Sequence, residues 1–302
     1  MIGRKVALVL GAGGPVGHAF HAGVLAAAEE HAGWDARGSS LIVGTSAGAS
    51  VGALLRAGMA GRDLYARVAR EPMSDEGAAI ARHYVRAAIG EGPRATPYTP
   101  AALEYLRRVA REPRSLRPGP LVAALLPEGT TCLKDQAARL GNLFGGEWPS
   151  LPLWLTAADL GTGERVAFGR SGAPRTDVGT AVSCSGAVPG LCRPVSVGDR
   201  RYVDGGILSA THLDLVDDRY DLVVVSSPLS MFAPMRWLLR RELSHARARG
   251  LTTLAIEPDA AAMRVMGNDP MDASRGPDVA RAALRLMADV LARSGDVPRR
   301  DS

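Results

Sequence analysis

Residues 5–17 read KVALVLGAGGPVG and place a short apolar run directly before a cluster of glycines. The run at residues 5–10 contains β-branched side chains and is bounded by glycine, which is typical of a strand buried on both faces of a parallel sheet. Apolar side chains then recur at helical spacing over residues 15–31, and Pro15 stands where proline favours a helix N-terminus. The stretch therefore predicts a strand, a glycine loop and a helix in succession.

The same order of elements follows at once. Residues 41–43 predict a second short strand, residues 44–48 a tight turn and residues 49–59 a second helix. Two strand–loop–helix units within about 60 residues are typical of α/β proteins. We predict a three-layer α/β/α fold with a mostly parallel central sheet.

The rest of the chain predicts a single domain, residues 1–302, that contains a helical insertion. Short helical segments separated by prolines fill residues 61–146. After them the patterns predict strands at 152–157, 165–168, 221–226 and 251–256, a hairpin at 195–203, and helices at 176–187, 235–249 and 277–294. The helix at 235–249 is rich in arginine, and its apolar residues share one face, so we expect it to pack on the sheet with a solvated basic face. Membrane contact is the alternative.

The composition indicates a folded chain and argues against a disulfide-rich or a membrane-spanning protein. The chain has 302 residues, 46% of them hydrophobic, which allows a sizeable core. Its three cysteines, at 132, 184 and 192, are too few and too scattered for a disulfide framework, so we expect a reducing, cytoplasmic location. The apolar stretches fall short of the roughly 18 to 20 residues of a membrane-spanning helix.

The charge pattern bears on the partners. The net charge is +5, and the basic residues are interleaved with acids along the chain. This distribution does not favour nucleic-acid binding, which uses compact basic blocks. It is compatible with peripheral contact to an anionic membrane surface.

The pattern Gly-x-Ser-x-Gly at residues 44–48 is the sharpest chemical signal. A serine on a tight turn between a strand and a helix projects its hydroxyl from the end of the sheet, and Gly44 and Gly48 avoid clashes in the strained turn. The helix that follows directs its N-terminal amides at developing negative charge. We predict that Ser46 lies on a nucleophile elbow.

The glycine loop at residues 11–17 is the second signal, and it is open to three interpretations. Consecutive glycines allow backbone amides to form an oxyanion hole. A tight connection without a ligand is the second interpretation. Nucleotide binding is the third, but it expects an acidic residue at the end of the next strand, and that strand continues into Gly44, Thr45 and Ser46.

A serine needs a base to become a nucleophile. None of the six histidines occupies an obvious strand-end motif; His18 and His21 are expected to be surface or packing residues, and His212 is kept as a reserve base. Asp204 is the carboxylate candidate, because it ends a predicted strand and two glycines follow it. An unperturbed aspartate is a weak base, so the hypothesis requires a raised pKa or a stronger hydrogen bond in the transition state.

These motifs together resemble the patatin-like phospholipase family, which uses a serine and an aspartate in place of a triad. The glycine loop, the Gly-x-Ser-x-Gly turn and the Asp-Gly-Gly motif occur in the family's order, and the similar segments are residues 22–25, 152–162 and 185–190. The resemblance implies a serine acyl hydrolase that cleaves carboxylic esters of lipids, such as phospholipids or lysophospholipids, through an acyl-enzyme. It implies neither a metal nor an organic cofactor.

The resemblance also implies roles for individual residues. Ser46 would be the nucleophile and Asp204 its general base, and the oxyanion donors would be the backbone amides of Gly13, Gly14 and Ala47. Val16 stands where the family commonly has an arginine, which changes how the loop is braced. Because the amides do not depend on that side chain, we expect weakened or altered activity rather than none. Two alternatives stay open: a non-catalytic lipid- or acyl-binding protein, and a Ser-His-Asp esterase that uses His212.

Overall fold

The computed structural model describes residues 4–84 and 100–293. In chain order the strands are β1 (Val6–Leu10), β2 (Leu41–Thr45), β3 (Leu153–Asp159), β4 (Arg165–Phe168), β5 (Val195–Val197), β6 (Arg200–Asp204), β7 (Leu222–Ser226) and β8 (Thr253–Ile256). The α-helices are α1 (Gly14–Ala32), α2 (Ala47–Arg56), α3 (Gly61–Ala69), α4 (Asp75–Ala81), α5 (Leu103–Arg111), α6 (Pro118–Leu125), α7 (Lys134–Asn142), α8 (Val178–Gly186), α9 (Ala233–Ala248), α10 (Ala260–Met266) and α11 (Gly276–Arg293). The predicted α/β fold with a mostly parallel sheet and flanking helices is confirmed.

The chain divides into two compact units. Unit 1 comprises Met1–Arg82, Pro149–Leu153 and Ala210–Ser302, and unit 2 comprises His83–Trp148 and Trp154–Ser209. The predicted helical insertion contributes α3 and α4 to unit 1 and α5 to α7 to unit 2; its residues 85–99, like the last residue of the helix predicted at 277–294, lie outside the described residues.

Unit 1 contains parallel strands in the order β2-β1-β7-β8. Val9 of β1 lies opposite Val43 of β2 and Val225 of β7. Every residue of β1 and β2 is buried, which explains why these strands are continuous apolar runs without alternation.

Helix α1 is the central helix of unit 1. Fifteen of its 19 residues are buried, and it packs against α3 and α11. A Cβ atom on Gly23 would lie 2.2 Å from the carbonyl oxygen of Ala280, so the backbones of α1 and α11 are in direct contact there. This burial on all sides explains why alanine and glycine occupy so much of the helix.

Unit 2 is built on antiparallel pairs: β3 pairs with β4 and with β6, and β6 pairs with β5. One of its apolar clusters surrounds the fully buried ring of Tyr105 and includes Leu160 and Val203. Helices α7 and α8 approach closely, since a Cβ atom on Gly179 would lie 1.9 Å from the carbonyl oxygen of Ala137. Across residues 4–84 and 100–293, none of the helices combines the length and apolarity that a bilayer crossing requires.

Candidate active site

Ser46 lies at a sharp turn between β2 and α2. Its backbone has φ 55° and ψ −114°, a conformation that serine rarely adopts. The side chain makes no hydrogen bond that caps α2, and the residue is 8% exposed. Strain of this kind is commonly stored at functional sites. The structure therefore holds Ser46 in a costly conformation at the turn that the sequence predicts.

The two glycines of the turn are required by space. A Cβ atom on Gly48 would lie 2.0 Å from the carbonyl oxygen of Leu10, and one on Gly44 would lie 2.7 Å from the Cα of Ala49. Both obstacles are backbone atoms, which cannot move aside as a side-chain end can. The turn is thus pressed against the end of β1.

The glycine loop leaves the sheet beside this turn, because Leu10 pairs with Gly44 in the register of β1 and β2. Gly13 precedes α1, and Gly14, with φ 58°, is its first residue. Amides at the start of a helix have no acceptor within the helix, and the same holds for Ala47 at the start of α2. Helices α1 and α2 therefore both begin at the carboxyl end of the parallel strands β1 and β2, where their N-termini favour negative charge.

Packing alone also requires glycine at two positions of the loop. A Cβ atom on Gly13 would lie 2.6 Å from Cγ of Pro228, and one on Gly14 would lie 2.6 Å from the carbonyl oxygen of Pro270. The interpretation as a dinucleotide loop lacks its acidic partner, since β2 ends at Thr45 and Ser46 follows. The structure thus offers no added support for nucleotide binding.

His21 braces the start of the loop, a role that the sequence analysis missed. Its Nε2 lies 2.8 Å from the carbonyl oxygen of Gly11, and its Nδ1 lies 2.8 Å from the hydroxyl of Ser226. Because a carbonyl only accepts, Nε2 carries the proton and Nδ1 accepts from Ser226. The Gly11 amide donates to the Ser226 carbonyl, which closes a ring of three hydrogen bonds. The Ala12 amide donates to the Ala210 carbonyl. The peptide group between Gly11 and Ala12 is therefore held at both its oxygen and its nitrogen, and it directly precedes the peptide group that carries the Gly13 amide.

The environment of His21 keeps the ring neutral. The residue is completely buried, and this burial lowers its pKa from 6.5 to about 4, against the opposing effect of the Gly11 hydrogen bond. His21 and His18 are both buried, so of the two expected placements, at the surface or in the packing, the structure has the second for both. The available sequence signal was a histidine within a helix segment whose neighbours are alanine, phenylalanine, valine and leucine.

Val16 is buried, and its backbone amide donates to the carbonyl oxygen of Pro270. The segment at Pro270 and Met271 also covers Gly14, since a Cβ atom there would meet the Met271 sulfur at 2.9 Å. This chain therefore braces its glycine loop with main-chain contacts from residue 270 and with the ring of His21. Neither contact needs an arginine at position 16.

Asp204 ends β6 in unit 2 and is 6% exposed. Its Oδ1 accepts a hydrogen bond from the amide of Gly206 at 2.7 Å, and its own amide donates to the carbonyl of Ala187. A Cβ atom on Gly205 would lie 2.7 Å from the carbonyl oxygen of Thr156, so the first glycine after the aspartate is required by space. The carboxylate is thus buried and fixed in orientation, and its pairing with Ser46 stays a prediction.

His212, the reserve base, belongs to unit 1. It has a left-handed backbone with φ 53° and is buried. The preceding residues contact the glycine loop: Ala210 accepts from the Ala12 amide, and Thr211 Cγ2 lies 3.5 Å from where a Cβ atom on Gly11 would be. His212 therefore stays an alternative to Asp204 as the base for Ser46, and experiment has to decide between them.

The comparisons with known proteins decide the family. The sequence model described as "Patatin-like phospholipase" matches residues 8–217, which include all three motifs. The chain belongs to the patatin-like phospholipase family. The family is named for phospholipid hydrolysis. A search of the curated proteins finds no matching sequence.

Solved structures of bacterial effectors are similar to this patatin-like chain at low identity. VipD from Legionella pneumophila is 14% identical, with a TM-score of 0.46 over 96% of this chain and 67% of that one. The type III effector ExoU is 19% identical, with a TM-score of 0.37 over 96% and 53%. ExoU in its complex with SpcU from Pseudomonas aeruginosa is 20% identical, with a TM-score of 0.40 over 96% and 51%. The chain thus spans about half of ExoU and two thirds of VipD.

Proposed function

We propose that the protein is a serine acyl hydrolase that cleaves carboxylic esters of lipids, with phospholipids or lysophospholipids as the substrate class. The observation that carries the proposal is the strained backbone of Ser46 at a strand-to-helix turn, beside a glycine loop that opens a second helix. Membership of the patatin-like family supports the lipid part. The buried, oriented carboxylate of Asp204 supports a base that acts without histidine.

In the proposed mechanism the Ser46 hydroxyl attacks the ester carbonyl while Asp204 accepts its proton. The tetrahedral oxyanion receives hydrogen bonds from the amides of Gly13, Gly14 and Ala47, and one such donor is worth about 3 kcal/mol in the transition state. The intermediate collapses, the alcohol leaves with the proton from Asp204, and the acyl group stays on Ser46. Water then attacks the acyl-enzyme, with Asp204 again as base, and releases the fatty acid.

We also propose that the protein works in the cytoplasm and contacts membranes peripherally, through helix α9. Trp237 on this helix is 62% exposed, and the guanidinium of Arg241 lies 6.0 Å from the centre of its ring. Leu238, Arg240 and Arg241 are exposed beside it. An exposed tryptophan among arginines suits the interface of an anionic bilayer. The predicted apolar face is present, since Leu239, Leu243 and Ala246 are buried.

A hydrolysis panel tests the catalytic assignment. Short-chain p-nitrophenyl esters and phospholipid vesicles are offered to the wild type and to Ser46→Ala, Asp204→Asn and His212→Ala. We expect Ser46→Ala and Asp204→Asn to lose activity by a factor of about 10³ or more, and His212→Ala to keep it. Full loss in folded His212→Ala with activity retained in Asp204→Asn would establish the rival triad. Equal rates in all four proteins would remove the site.

A further inference from the structure

A cavity of about 760 Å³ lies within unit 2, between α7, α8 and the segment that leads into β5 and includes its first two residues. None of the residues of the three motifs lines it among those that the structure describes. Its size falls within the range of about 300–1,000 Å³ that small-molecule sites occupy. The cavity is therefore large enough for a ligand and is separate from the residues of the proposed reaction.

Two cationic side chains lie at this cavity. Lys134, the first residue of α7, and Arg193 both line it and are exposed. Within residues 4–84 and 100–293, neither has a carboxylate within 4 Å. The lining also contains one acid, Asp177, but its two oxygens accept from the amide and the hydroxyl of Thr180 and so cap α8. With the two cations Lys134 and Arg193 and the one carboxylate of Asp177, the lining carries a net formal charge of +1.

The lining between the charges is partly apolar. Leu133, Ala137, Pro194 and Val195 line the cavity, with the hydroxyl-bearing Ser183 among them. The walls are firmly joined, because Gly179 brings α8 against the backbone of α7 and Thr131 pairs with Cys192 in an isolated bridge. A ligand with an apolar part and an anionic end matches this lining.

We propose that the cavity is a binding site for an anionic amphiphile, a molecule with an aliphatic chain and a carboxylate or phosphate group. The aliphatic chain packs on the apolar lining, and the anionic group pairs with Lys134 and Arg193. This site goes beyond the proposed function and stands whether or not Ser46 is catalytic. Its test is accordingly a binding measurement that needs no turnover.

Cys132 provides a local reporter, because it lines the cavity and is exposed. Cys184 and Cys192 are buried, and burial raises the pKa of the Cys184 thiol to about 12, so neither competes for a neutral thiol reagent in the folded protein. The rate of Cys132 alkylation by N-ethylmaleimide is followed by mass spectrometry in Ser46→Ala protein, which prevents turnover. The probes are dodecanoate and dodecyl phosphate, with inorganic phosphate, dodecyl maltoside and dodecyltrimethylammonium as comparisons below their micelle concentrations.

We expect dodecanoate, dodecyl phosphate or both to slow the alkylation about tenfold at about ten times the Kd. Which of the two head groups protects identifies the natural anion as carboxylate or phosphate. Replacing both cations, as in Lys134→Met with Arg193→Met, raises the Kd by about tenfold or more. Arg139→Met is the matched control, since Arg139 is an exposed arginine on the same helix that does not line the cavity.

Three results would overturn the proposal. The first is the absence of protection by either anionic amphiphile. The second is equal protection by dodecyltrimethylammonium, and the third is an equal loss of binding in Arg139→Met. The comparison of head groups uses the protein with both cations intact, so it decides the question even where the double variant fails to fold.

Discussion

Lowering the pH should destabilise the protein through His21, the buried ring that links the glycine loop to β7. The native state keeps this ring neutral down to about pH 4, whereas the unfolded chain binds a proton near pH 6.5. Between these values the unfolded state holds more protons, so the free energy of unfolding falls as the pH falls. A pKa that drops from 6.5 to about 4 corresponds to a loss of about 3 kcal/mol across this window.

The assay is urea unfolding of the wild type and His21→Gln at several values between pH 7 and pH 4. Glutamine has a donor and an acceptor for Gly11 and Ser226 but does not titrate, so the difference between the two proteins isolates the histidine. We expect the stability of the wild type to fall by about 3 kcal/mol more than that of His21→Gln. His21→Leu should lose about 2–4 kcal/mol at pH 7, because it leaves the Gly11 carbonyl and the Ser226 hydroxyl buried without their partner.

Parallel pH profiles for the wild type and His21→Gln would refute this account of the ring. The same variants also report on the loop. If His21 positions the amides of Gly13 and Gly14, kcat should fall in His21→Leu with KM little changed, and His21→Gln should recover part of it. A KM effect without a kcat effect would assign His21 to the fold alone.

Three further substitutions follow from the geometry. Gly48→Ala places a methyl group 2.0 Å from the Leu10 carbonyl, so thermal unfolding should show a loss of about 3 kcal/mol or more; wild-type stability would mean that the turn is not pressed against β1. Asp177→Ala removes the cap of α8 and should cost about 1 kcal/mol in urea unfolding, and an unchanged midpoint would contradict the capping role. Trp237→Ala should weaken binding to anionic vesicles severalfold, without changing stability and with no effect on neutral vesicles. Equal binding of the wild type and Trp237→Ala to anionic vesicles would contradict membrane contact through α9.

Local patterns predicted most of the elements. The apolar runs of β1, β2 and β7 and the period of α9 are each contained in a few neighbouring residues, and their observed bounds differ from the predicted ones by about two residues. Helix α2 begins at Ala47, two residues earlier than predicted, because the tight turn predicted at residues 44–48 already contains the first two residues of the helix. Helix α10 was not predicted, since seven residues are too few for a period to show.

The bracing of the glycine loop could not be predicted in the same way. The carbonyl of Pro270 accepts a hydrogen bond from the amide of Val16, although the two residues are far apart in the sequence. No local pattern around residue 270 indicates that contact. The role of His21 depends on Ser226, which β7 brings beside β1 only in the folded sheet. The order of the three motifs was visible in the sequence, whereas the groups that hold the first of them depend on tertiary structure.

The most direct test of the central claim is the rate at which a fluorophosphonate labels Ser46, with the adduct located by mass spectrometry. We expect one adduct per chain on Ser46 in the wild type, none in urea-unfolded protein, and labelling slowed by a factor of about 10² or more in folded Asp204→Asn. Labelling that is absent in the folded wild type, or that proceeds at the same rate in Asp204→Asn, would contradict a serine nucleophile activated by that aspartate.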